Sequence, residues 1–170
     1  MREAIYLAFG FAITMLLALC IVPSLPYPLM YTPLVMIAGL LVLQREGVGP
    51  GVAWLLLGSI LMTVDHVAPY TLWPTIISTL VAVIFATRVF ATRSVYALMG
   101  LGLITGLTYI LTVLLGALIA VIFSSTLLPN GQLSWSSLVA FFLLLQLGLY
   151  LGFMAIVSLR SWTLRTFVVR

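Results

Sequence analysis

The chain has no lysine, one cysteine, one histidine and one aspartate, and its acids are Glu3, Glu46 and Asp65. Each shortage removes a class of function. A lone Cys20 forbids an intramolecular disulfide. Leu17-Ala18-Leu19-Cys20 has the outline of a lipoprotein cleavage box, but Leu19 is too large for the small residue such a box needs there, so Cys20 is read as a buried apolar side chain. Without lysine, the glycine-rich Gly47-Val48-Gly49-Pro50-Gly51 cannot act as a phosphate-binding Walker loop and reads as a tight inter-helix turn. One histidine and three acids are too few for a metal site. Asp65 and His66 are neighbours in sequence, and adjacent side chains on a helix diverge by about 100°, so they cannot serve one catalytic triad. A proton relay would need acids or histidines in several helices, and outside Gly58–Pro74 the helix interiors hold none. No catalytic residue, cofactor or metal is expected.

What remains is apolar. The chain of 170 residues is 64% hydrophobic and 6% charged, with a mean hydropathy of +1.33. Continuous apolar runs, rather than short alternating ones, place it among all-α, polytopic membrane bundles and away from β-barrels. The length suits one integral membrane domain, residues 1–170. The net charge is +4, but every positive charge is an arginine beside a predicted membrane boundary, so the lipid bilayer and not nucleic acid is the expected partner.

Six spans are expected: Ala4–Val22, Leu29–Gln44, Val52–Val67, Leu72–Val89, Val95–Phe123 and Leu138–Leu159, followed by an Arg160–Arg170 tail at the membrane surface. The first is full spanning length with no A-x-A site, and reads as an uncleaved helix. With both termini inside, all seven arginines fall on the cytoplasmic side. A five-span alternative, in which the short second helix fails to cross, misplaces only Arg2.

Two sets of residues stand out. The first is Asp65 and His66 with Tyr70 and Trp73, at the outer end of the third span. They form either a boundary cap facing water or the mouth of an outward ligand pocket. The second is a line of small residues. Gly102, Gly106, Tyr109, Val113, Gly116 and Ala120 share one face of the fifth helix, and Gly148 and Gly152 lie four apart in the sixth. Such spacing lets backbones approach closely in lipid, within the bundle or against a partner helix. Leu101 is placed on another, more tolerant face. Thr105, Thr108 and Thr112 are expected to bond back to carbonyls one turn earlier, and Gln146 to hydrogen-bond across helices.

From the second to the fifth helix the order of features resembles the MreD family, the small membrane subunit of the bacterial rod-shape machinery. The resemblance is carried by Tyr31-Thr32-Pro33-Leu34, Arg45-Glu46-Gly47-Val48-Gly49, Gly58-Ser59-Ile60-Leu61 and Arg88-Val89-Phe90 with Arg93-Ser94. The family aspartate would fall at Met62, whereas Asp65 comes about one turn later. Val67-Ala68-Pro69-Tyr70 replaces the family's following Ser-Gly pair. The resemblance implies a non-catalytic adaptor of the bacterial inner membrane, both termini cytoplasmic. Such an adaptor would bind a bitopic, MreC-like protein and other subunits of the elongation complex. MreD-like proteins are similar in fold to the substrate-binding subunits of energy-coupling-factor transporters, which gives the alternative function: a small-molecule-binding transporter subunit.

Overall fold

The computed structural model describes residues 2–64, 72–89, 94–122 and 135–168. Six α-helices make up the described chain: α1 Arg2–Leu16, α2 Leu34–Glu46, α3 Val48–Val64, α4 Leu72–Arg88, α5 Val95–Ile122 and α6 Trp135–Val168. Three of these helical stretches, Ile5–Ser24, Val95–Leu118 and Trp135–Leu159, are long and apolar enough to cross a membrane. The chain is therefore a membrane protein whose described residues hold helices and no strand.

Proline and glycine set the helix ends. α1 continues past Leu16 through a π-turn, Leu17–Ile21, and a 3-10 turn, Val22–Ser24. Pro23 lacks an N–H and its ring crowds the carbonyl one turn back, so a regular ladder cannot run through it. Cys20, expected to be buried, is instead exposed on this turn. The stretch after it, with a cis Tyr27–Pro28 bond, closes on a short 3-10 turn, Leu29–Tyr31. α2 starts directly after Pro33. Its opposite end is sharper than expected, because the presumed Arg45–Gly51 turn shrinks to Gly47 alone. Gly47 takes φ +105°, a backbone region that glycine enters without steric cost, and its carbonyl accepts the Gly51 N–H to open α3. Pro50 then lies in the first turn of α3, where a missing N–H costs nothing. Ser94 caps α5 by accepting the Ala97 N–H at 3.1 Å. The amide of Gln44 donates to the Ser94 carbonyl at 3.1 Å and ties the end of α2 to the start of α5.

The bundle is built around α2. Met36, Ile37, Gly39, Leu40 and Leu43 are buried along it, and it touches all five other helices. Leu40, Leu98, Leu145 and Leu149 have no exposed surface, and with Leu55 and Leu101 they form most of the core.

Side-chain pairings fix the directions of the helices. Gly39 faces Leu55, Gly51 faces Leu43 and Gly58 faces Val35, so α2 and α3 are antiparallel. Gly148 faces Ile37 and Gly152 faces Leu41, so α6 runs parallel to α2. Gly102 faces Leu149 and Gly106 faces Leu145, so α5 and α6 are antiparallel. α1 runs with α3: the Phe11 ring meets Trp54 edge-on at 5.3 Å, and Met15 lies beside Gly58.

The tail differs from expectation. It does not break from the sixth helix; α6 is continuous for 34 residues, through Arg160 and Arg165 to Val168. At about 1.5 Å per residue that is about 50 Å, well beyond a hydrocarbon core of about 30 Å.

Candidate functional site

The helix directions sort the marked side chains onto two ends. α4 ends just before Ser94, which is tied to the end of α2, and packs along α5, so α4 runs parallel to α2; the N-termini of α2, α4 and α6 therefore lie together, and there Trp73 and Trp135 are 72% and 73% exposed. Tyr27 and Tyr31 stack edge-on at 6.0 Å on the turn that leads into α2, at this same end. Tyr6 and Tyr96 are exposed at the opposite end, near the starts of α1 and α5, so aromatic rings that suit a membrane–water interface stand at both ends of the bundle. Asp65, His66 and Tyr70 lie outside the described residues, so of the outer-end set the structure places Trp73 alone. Arg45 and Arg88, in the last turns of α2 and α4, belong to the opposite end.

The small-residue line divides. Gly102 and Gly106 are buried against α6, where a Cβ on Gly106 would come within 2.9 Å of the Leu145 Cδ2. Tyr109 continues the contact by stacking on Phe141 with ring centroids 4.6 Å apart. Gly148 and Gly152 lie on the other side of α6 and receive Ile37 and Leu41 of α2. These four glycines therefore pack helices within the bundle. Gly116 does not. It is exposed, and a Cβ there would meet nothing within 4 Å among the described residues. The reason is antiparallel register. Each turn forward on α5 pairs with a turn back on α6, so Gly116 comes level with Trp135, where α6 starts.

Sequence spacing missed the closest approach. Gly51, read as part of a turn, lies in the first turn of α3 against the backbone of Leu43. Gly39 and Gly58 add two more contacts between α2 and α3. The one small-xxx-small pair of glycines here, Gly47/Gly51, sits in the cluster that reads as a turn, Gly51 and Gly58 are two turns apart, and Gly39 stands alone.

The buried hydroxyls are mostly satisfied locally. Thr105, Thr108 and Thr112 donate to the carbonyls of Leu101, Ile104 and Thr108 at 2.6, 2.8 and 2.9 Å, as the sequence implied. Ser59 donates to the Leu55 carbonyl at 2.6 Å. Gln146 departs from expectation. Its amide lies over Gly102, where a Cβ would sit 3.4 Å from Nε2, and this buried nitrogen has no hydrogen-bond partner among the described residues. The missing Cβ makes room for the amide, but no carbonyl of α5 is presented to it. Trp54 Nε1 and Thr79 Oγ1 are likewise buried without partners among the described residues.

Chemically, the described residues offer close helix packing, an open glycine, Gly116, among outward leucines of α5, and exposed aromatics at both ends. Comparison of the chain with family models, curated proteins and solved structures gave no match.

Proposed function

We propose that this chain is a non-catalytic adaptor of the MreD type in the bacterial inner membrane. It crosses the membrane six times with both termini in the cytoplasm. It docks the single helix of an MreC-like bitopic partner and so helps connect the cytoplasmic MreB filament to wall-synthesis enzymes. The observation that carries the reading is the open Gly116. Apolar faces do not attract each other in lipid by the hydrophobic effect, so a docking position is marked by how closely a second backbone can approach. Gly116 offers that approach, flanked by the outward side chains of Leu111, Leu115 and Leu118, while the bundle's other marked glycines are already covered. The topology is supported by the opposite directions of α1 and α6 and by the arginines at one end.

Two measurements test this. Cysteines introduced at Ser125 or Asn130 in a Cys20→Ser background should be labelled from outside, and one at the C-terminus should not; outside labelling of the C-terminus would sink the topology. Gly116→Leu should leave the unfolding temperature unchanged and reduce co-purification of a co-expressed MreC-like partner by about tenfold, as expected when a close helix contact worth roughly 1–2 kcal/mol is lost. Undiminished co-purification would remove the docking face from Gly116.

A further inference from the structure

We infer that the arginine-bearing end of the bundle is a collar that binds anionic phospholipid, a phosphodiester headgroup together with its acyl chains. The inference needs only the helix directions and stands apart from the adaptor reading.

Those directions bring together the N-terminus of α1 with Arg2, the C-termini of α2 and α4 with Arg45 and Arg88, and the Arg160–Arg165 stretch of α6. The register of α6 on α2 puts Arg45 level with Ile156, about one turn before Arg160. Against these five arginines stand Glu3 and Glu46 on the same helices. Glu46 pairs with Arg45 at 3.2 Å, yet the Arg45 side chain stays half exposed, and Arg88 is exposed. The end is therefore positively charged.

Its immediate surroundings are apolar. Val89 follows Arg88 and is 60% exposed; Leu159 precedes Arg160 and is 63% exposed; Ile5 lies one turn from Arg2 and is 65% exposed. Arginine positions at the edge of an outward aliphatic surface match a lipid, which presents a phosphate just above its acyl chain. The apolar window of α6 closes at Leu159, so Arg160 falls where the headgroups begin. The charges also occupy separate positions around the bundle: α1 packs on α2 and α3, α4 on α3 and α5, and α6 on α5 and α2. A ring at one level fits a plane of headgroups better than the single face of an acidic protein. Such arginines attract anionic lipid by about fivefold each.

The test uses the full-length protein in mild detergent, offered phosphatidylglycerol or phosphatidylcholine, with retained lipid counted by native mass spectrometry and the unfolding temperature recorded. Phosphatidylglycerol should be retained at least tenfold over phosphatidylcholine and should raise the unfolding temperature. A variant carrying Arg45→Gln, Arg88→Gln and Arg160→Gln should lose that preference, while the matching Lys variant keeps it. Equal retention of the two lipids, or an unchanged preference in the Gln variant, overturns the proposal; so does its loss in a Lys variant that still runs as a monodisperse species. If inorganic phosphate alone reproduces the temperature shift, the end is a free-anion site. If a polyglutamate probe binds with no lipid preference, it is a protein-docking surface. Either result removes the lipid collar.

Discussion

Gly51→Leu leaves no folded bundle. A Cβ at Gly51 would fall on the Leu43 Cα, at 2.5 Å from its Cβ and 2.8 Å from its backbone nitrogen. The obstacle is main chain inside a helix, with no rotamer to turn aside. α2 and α3 would have to separate, yet they are joined by Gly47 alone and brace each other again at Gly39 and Gly58. Separation at Gly51 also moves α2, which touches every other helix. The expected cost is above about 4 kcal/mol, the range reserved for overpacking and broken cores. Even Gly51→Ala should lower the unfolding temperature clearly. Fluorescence-detected gel filtration of the solubilised protein over a temperature series measures both. A monodisperse Gly51→Leu protein melting with the parent would show that the two helices do not meet as described. Gly49→Leu, two residues away on the opposite side of the helix with open space around it, is the control and should cost little.

The contrast between Gly51 and Gly116 shows where the sequence could be read and where it could not. Helix number and order were legible because apolar runs broken by proline and glycine leave few alternatives in lipid, where backbone groups must be satisfied within the segment. Small-residue spacing found Gly102, Gly106, Gly148 and Gly152, because a four-residue step stays on one helix face and needs no knowledge of the neighbour. Gly116 satisfies the same spacing but stands where α6 begins, and only the register of two helices reveals that. Gly51 was hidden for the opposite reason: glycines clustered beside a proline look like a turn, and the one positive-φ position among the described residues, Gly47, cannot be told from its neighbours by composition. The outer-end set was legible as chemistry and not as geometry, since only Trp73 of the four falls within the described residues.

Leu101→Ala should destabilise the protein by about 2–3 kcal/mol, although sequence spacing puts Leu101 off the packed face of α5. The spacing argument assumes that a membrane helix buries one stripe. α5 buries two. Gly102, Gly106 and Tyr109 meet α6, while Leu98, Leu101 and Thr105 form a second buried line, each no more than 1% exposed. α5 has a neighbour on each side, with α4 packed along it as well as α6 and with α2 also in contact, so its covered arc is wider than the small residues mark. The loss at Leu101 arises from the cavity and its missing dispersion contacts more than from transfer to water, because the unfolded helix would lie in lipid. That places the cost toward the lower part of the range for buried leucines. Leu111→Ala, on the outward face of α5 at 65% exposure, should stay within about 0.5 kcal/mol of the parent. Thermal unfolding of both variants in the same detergent separates the two cases, and equal midpoints would mean that α5 presents Leu101 to lipid and packs along a single stripe.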